Sequence, residues 1–109
     1  MNKYRNKKVQ VDMYVFDSIA ESRRYKELKL LEKAGEIQNL ELQKRYLLIP
    51  KQKDERAVSY IADFYYTENN KEVVEDVKSK ITAKKTDYII KRKLFKQKYS
   101  EIEFREIIY

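Results

Sequence analysis

Cysteine, histidine and tryptophan are absent from this 109-residue chain, and glycine and proline occur once each. Without cysteine there is no disulfide, no thiolate nucleophile and no zinc–sulfur site. Without histidine there is no Ser-His-Asp arrangement and no imidazole-ligated metal. The lone glycine, Gly35, excludes the glycine-rich loops that cradle phosphates in dinucleotide- and triphosphate-binding folds. Long apolar runs are missing too. None approaches the roughly 18 residues needed to span a bilayer, and the basic N-terminus lacks the apolar stretch of a signal peptide. A cytoplasmic protein is expected. Any chemistry must come from carboxylates, Lys, Tyr or a hard metal ion held by oxygen.

What is present suits a single domain over residues 1–109, with residues 1–8 as a basic arm. Ten Tyr and four Phe contribute to a hydrophobic content of 42%, enough for a core, while 39% charged residues imply a heavily solvated surface. The formal net charge is +7 and is unevenly placed. Between Lys78 and Lys98 nine basic residues stand against a single acid, Asp87. Such a run favours a polyanion, because each neutralised phosphate releases counterions. A solvated, Lys-rich helix face explains the same run equally well.

Periodicity predicts a short hairpin from Val9-Gln10-Val11 and Tyr14-Val15-Phe16, although Met13 stands where a turn glycine would be comfortable. Ser18 opens a helix running to about Ala34, with Gly35 as its cap. Glu21, Tyr25 and Leu28 share one face, which packs inward. A strand over residues 40–49 ends at Pro50, and a charged loop follows. Residues 58–66 alternate, with Val58, Tyr60, Ala62 and Phe64 pointing one way and Ile61, Asp63 and Tyr65 the other. The Asn69-Asn70 turn predicts an antiparallel return over residues 73–78, where Val74, Asp76 and Lys78 share a face. Thr86 caps a second helix reaching Tyr99, its inward face including Ile90, Leu94 and Phe95, and a last strand covers residues 101–108.

Two strand ends carry the chemistry. Asp63 sits in the apolar run Tyr60-Ile61-Ala62-Asp63-Phe64, and Asp76-Val77-Lys78 ends the next strand. An unpartnered carboxylate in such a run costs several kcal/mol to bury, so Asp63 calls for a metal or a lysine partner. Asp63 and Asp76 together can hold Mg²⁺, which needs few protein ligands, and the Val77 carbonyl is a further oxygen donor. The Lys78 ammonium can orient a water and offset charge at phosphorus. The competing reading is a structural Asp63–Lys78 ion pair. Glu21, three residues after Ser18, has the spacing of a capping box. Glu75 falls on the face opposite Asp76 and reads as a surface charge. Tyr60, Tyr65 and Tyr66 read as packing rather than as stacking platforms for bases.

Taken together and in this order, these residues resemble the PD-(D/E)xK nuclease superfamily. Ile61-Ala62-Asp63-Phe64 is similar to the "PD" element, with Ala62 in place of proline, and Asp76-Val77-Lys78 to (D/E)xK. Phe16-Asp17-Ser18-Ile19-Ala20-Glu21 resembles the F-x-S-x-x-E helix entry of transposon-encoded endonucleases and phage resolvases. Gln43 matches a strand Gln of the same groups. Over nearly its full length the chain is also similar to a phage-borne family of small proteins of unknown function, including Leu42-Gln43, Ile49-Pro50 and Lys91-Arg92-Lys93-Leu94-Phe95.

The resemblance implies an α/β fold with a restriction-endonuclease-like core, a mixed sheet in αβββαβ order after the hairpin. It implies a phage- or prophage-encoded, Mg²⁺- or Mn²⁺-dependent endonuclease acting on double-stranded or branched DNA such as Holliday junctions. Asp63, Asp76 and Glu21 would hold the metal, with Val77 lending its carbonyl. Lys78 would serve the nucleophile and Gln43 would position water or phosphate. Lys80, Lys84, Lys85, Lys91 and Lys93 would grip the backbone. A homodimer is expected, since symmetric cutting of two strands needs two sites. The alternative is a non-catalytic nucleic-acid-binding or host-modulating protein that keeps the fold.

Overall fold

A computed structural model describes residues 7–109; the first six residues of the expected basic arm lie outside the described residues. The chain forms a mixed α/β structure. An N-terminal antiparallel hairpin pairs β1 (Val9–Val11) with β2 (Tyr14–Phe16). Asp12 takes the turn with φ 55°, a conformation that short polar side chains tolerate better than most. Its carboxylate accepts a 2.6 Å hydrogen bond from the Tyr25 hydroxyl, which ties the hairpin to the first helix.

That helix, α1 (Ile19–Lys33), starts where Ser18 Oγ accepts the Glu21 amide hydrogen at 3.0 Å. It ends in a Schellman arrangement: Gly35, at φ 81°, donates to the Glu32 carbonyl and Glu36 donates to that of Leu31. Glu21, Tyr25 and Leu28 are all buried, as their spacing requires.

A four-stranded sheet follows in the order β3 (Gln38–Ile49), β4 (Val58–Glu68), β5 (Lys71–Lys78) and β6 (Glu103–Ile108). The first three strands run antiparallel, and β6 lies parallel to β5. β3 begins two residues before the predicted start, and β4 extends two beyond its predicted end. Asn69 and Asn70, with φ of 53° and 65°, make the two-residue turn that sets the β4–β5 register at Glu68–Lys71.

The crossover to β6 runs through a short 3-10 turn (Thr82–Lys84) and α2 (Thr86–Lys98). Here two expectations are corrected. Thr86 is the first helical residue rather than the cap; Lys85 holds the extended cap position and no side chain caps it. Ile90 is 51% exposed, because Tyr88 and Phe95, seven residues apart, take the inward stripe.

Two hydrophobic clusters occupy opposite faces of the sheet. On one face α1 packs Tyr25 and Leu28 against Phe64, Tyr66, Val73 and Val77. On the other, α2 packs Phe95 among Tyr46, Tyr60, Ala62 and Val74. Phe95 meets the Tyr46 ring edge-on at 5.0 Å, a geometry that adds to the apolar area buried.

This division overturns the simple alternation expected of residues 58–66. Tyr60 and Ala62 face α2, whereas Phe64 and Tyr66 face α1. β3 changes face at the same level: Leu42 packs with the α1 cluster, while Tyr46 and Leu48 belong to the α2 cluster. Gln43 lies between them with φ 54°, and its flanks Leu42 and Lys44 pair with Phe64 and Ala62, so it stands opposite Asp63. A left-handed residue breaks the period of two. The sheet thus reverses its faces at the level of Asp63. The β4–β5 ladder ends there too, its last paired residues being Phe64 and Glu75.

Candidate active site

Beyond the end of that ladder Asp63 fills the space between β4 and β5. Its Oδ2 accepts the Val77 amide hydrogen at 2.8 Å, replacing a ladder bond with a side-chain one. Its Oδ1 lies 3.5 Å from the Gln43 side-chain nitrogen, a long contact. The Asp63–Lys78 ion pair of the competing reading does not form. Lys78 instead sends its ammonium to within 3.4 Å of Asp76 Oδ1 and lies over the Tyr88 ring.

Asp76 is 1% exposed, and neither carboxylate oxygen has a hydrogen-bond partner of normal geometry. Burial pushes its carboxyl pKa up first and the neighbouring Asp63 carboxylate pushes it further, while the Lys78 charge and the nearby Tyr60 hydroxyl offset only part of this. The Tyr60 hydroxyl is buried nearby, likewise without a partner, and desolvation with the charges of Asp76 and Asp63 raises its pKa. Two carboxylate oxygens and a neighbouring hydroxyl are therefore buried without partners; among the described residues the Tyr46 hydroxyl is a further such atom.

Glu21 approaches Asp63 from α1. The capping box is only half made: Ser18 caps the Glu21 amide, but no hydrogen bond returns from the Ser18 amide to the Glu21 carboxylate. That carboxylate lines a cavity of about 140 Å³ with Asp17, Asp63, Val77, Lys78 and Tyr109. Burial, then the charges of Asp63 and Asp17, raises its pKa from 4.5 to about 7, against the opposing pull of Lys78. Asp17 sits at one of the variable positions of the F-x-S-x-x-E pattern, so the pattern itself does not single it out.

A second cavity, of about 240 Å³, opens on the α2 side of Asp76 and is lined by Ser59, Tyr60, Lys78, Tyr88 and Lys91 among others. Lys78 is common to both cavities. Lys80, Lys84, Lys85 and Lys93 are exposed, and Lys91 is half-buried. The first three sit on the segment between β5 and α2, which borders the Glu21 cavity through Thr82.

Glu75 corrects another expectation. It is fully buried rather than a surface charge. Arg24 holds it with two hydrogen bonds of 2.7 and 2.6 Å, and the Tyr66 hydroxyl donates a third. Fifty-one positions separate Arg24 from Glu75, so no local pattern reveals the pair. Tyr60, Tyr65 and Tyr66 are buried, which agrees with packing.

The donor set is all oxygen, and its unsatisfied carboxylate oxygens suit a hard divalent ion, which accepts one or two carboxylates with water completing the shell. Asp63 and Asp76 would hold it; Glu21 and Val77 line the cavity on the Asp63 side, whereas Asp76 lines the cavity on the α2 side. Among the described residues no three acidic side chains are gathered closely enough to form a ready-made metal cluster. No helix among them is long and apolar enough to cross a membrane.

A family model described as a protein of unknown function (DUF1064) matches residues 1–109. No curated protein matches the chain, and no solved structure does.

Proposed function

We propose that this chain, which belongs to the DUF1064 family, is a metal-dependent endonuclease with a restriction-endonuclease-like core. The observation that carries the reading is Asp76: a carboxylate buried without a hydrogen-bond partner, beside Asp63 and 3.4 Å from the Lys78 ammonium. A fold rarely keeps such a group for stability alone, since its desolvation is uncompensated. Charge-shifted carboxylates around a cleft are a mark of catalytic sites.

A Mg²⁺ or Mn²⁺ ion would be held by Asp63 and Asp76, with Glu21 and the Val77 carbonyl as the further donors, and would supply charge neutralisation at the phosphate and acidify a water. The protein's own groups do the rest. Hydrolysis joins a water oxygen to phosphorus and breaks one P–O ester bond, the water's proton passing through solvent to the departing oxygen. Lys78 orients that water and offsets charge building on the phosphoryl oxygens. Gln43, 3.5 Å from Asp63 on the neighbouring strand, positions water or phosphate. Lys80, Lys84, Lys85, Lys91 and Lys93 engage backbone phosphates, which positions DNA without reading its sequence.

DNA with a branch or junction is the proposed substrate, and a homodimer in the host cytoplasm the proposed working form. A second reading is a nucleic-acid-binding protein that keeps this fold and does not cut; the exposed Lys80, Lys84 and Lys85 between β5 and α2 serve it equally well. Labelled four-way-junction, nicked and linear DNA incubated with Mg²⁺, Mn²⁺ or EDTA separates the two. Metal-dependent cutting by the wild type that disappears in Lys78→Ala supports the nuclease. Binding to all three substrates with no cutting supports the second reading.

A further inference from the structure

A cavity of about 390 Å³ adjoins the acidic one, and the two share Ser18 and Tyr109. Their chemistry differs. The acidic cavity has Asp17, Glu21 and Asp63 in its wall. Its neighbour has no acid at all: its wall is Lys7, Ser18, Ile19, Ala20, Arg23 and Tyr109. Lys7 and Arg23 are exposed, and among the described residues neither pairs with a carboxylate. Ile19 and Tyr109 are each 45% exposed, a large apolar area to leave in water beside two unpaired cations.

Resting on the nuclease reading, we infer that this second cavity takes the nucleotide next to the cleaved phosphate. Its base stacks on the Tyr109 ring above Ile19 and Ala20, and its phosphate is held by Arg23 and Lys7. An aromatic face, an apolar floor and two free cations are what a base and its phosphate need, and none of these features discriminates among bases. Tyr109 is anchored for the task, because its amide donates a 3.0 Å hydrogen bond to the Lys78 carbonyl. That bond ties the Tyr109 backbone to the residue proposed to serve the nucleophile, and the ring is left free to turn onto a base. A base can enter this cavity only after leaving its duplex stack, which costs least at a branch or an unpaired end. The preference for branched DNA then arises here, rather than in the lysines between β5 and α2.

The test is binding with Ca²⁺ in place of Mg²⁺, so that cutting does not intervene. The probes are a four-way junction and a matched linear duplex, with 2-aminopurine moved one position at a time across the branch. On wild-type protein one position is expected to change its fluorescence on binding. Tyr109→Phe should keep that signal, and Tyr109→Leu should lose it with affinity for the junction falling about tenfold, within the range that base–aromatic stacking spans. An abasic nucleotide at the same position should weaken wild-type binding about as much, while leaving Tyr109→Leu unchanged. Arg23→Ala should lower the slope of log affinity against log salt by about one. A fluorescence scan identical in wild type and Tyr109→Leu, or an abasic penalty equal in both, overturns the inference. Binding without Mg²⁺-dependent cutting leaves the stacking result interpretable and removes only hydrolysis. No binding to either DNA removes both.

Discussion

The Lys78 ammonium stands 3.4 Å from Oδ1 of Asp76, a carboxylate 1% exposed whose oxygens have no hydrogen-bond donor. One long ion pair does not repay the desolvation of a buried charge. Asp76→Asn should therefore raise the stability of the metal-free protein, by roughly 1–3 kcal/mol, while abolishing divalent-metal binding. Urea unfolding with EDTA, beside a Mn²⁺ titration of both proteins, checks the two halves. A destabilised Asp76→Asn would mean that the carboxylate serves the fold.

Glu21 gives the same relationship a pH dependence. Its carboxyl titrates near 7 when folded and near 4.5 as a free side chain. Folding thus favours the protonated form, and the stability this contributes is full below about pH 4.5 and lost as pH rises through about 7. Wild type should lose stability relative to Glu21→Gln across that window in thermal melts with EDTA. Saturating Mn²⁺ should remove much of the difference, because metal binding favours the ionised form. Parallel pH profiles for the two proteins would show that Glu21 is not perturbed.

Arg24 and Glu75 form a pair of a different kind, satisfied on both sides and away from the cavities. Arg24→Ala leaves a fully buried carboxylate without its cation and should cost about 3–5 kcal/mol. Adding Glu75→Gln should recover part of this, since the charge is then gone. Guanidinium unfolding of the two single variants and the double variant measures the coupling. Additive losses would show that the pair contributes nothing as a pair.

At the end of α1, Gly35 has φ 81°, and a Cβ added there would meet nothing within 4 Å. The cost of Gly35→Ala is therefore purely conformational, about 1–2 kcal/mol. Gln43 holds φ 54° without being glycine. Gln43→Gly should relieve that backbone cost and stabilise slightly, while removing the amide from Asp63 and slowing cleavage. A stability gain with unchanged cleavage would remove Gln43 from the site.

Much of the fold was legible because its signals are local. Ser18, Gly35 and the Asn69-Asn70 turn announce where elements begin and end, and the spacing of Glu21, Tyr25 and Leu28 marks the buried face of α1. The reversal of faces at Gln43 and Asp63 was not legible, since a Gln in the left-handed region carries no compositional signal. For that reason Tyr60 and Phe64, read as sharing a face, lie on opposite ones. Nor could spacing show that Lys78 turns to Asp76 rather than Asp63, because both acids are within a side chain's reach and only the strand geometry decides. The same holds for Glu75, whose partner is brought to it by the packing of α1 on the sheet. The exposed Ile90 illustrates a helix with more apolar residues than its inward stripe can use, where the larger Tyr88 and Phe95 prevail.

The most direct test compares wild type with Asp63→Asn on one labelled four-way junction, measuring binding in Ca²⁺ and cutting in Mg²⁺ on the same preparations. Wild type should cut in Mg²⁺ and not in EDTA, and Asp63→Asn should bind with similar affinity and cut at least a hundredfold more slowly, the order expected when electrostatic support of a transition state is lost. Equal cutting by the two proteins, or no cutting by the wild type with either Mg²⁺ or Mn²⁺, would contradict the nuclease centred on Asp63 and Asp76.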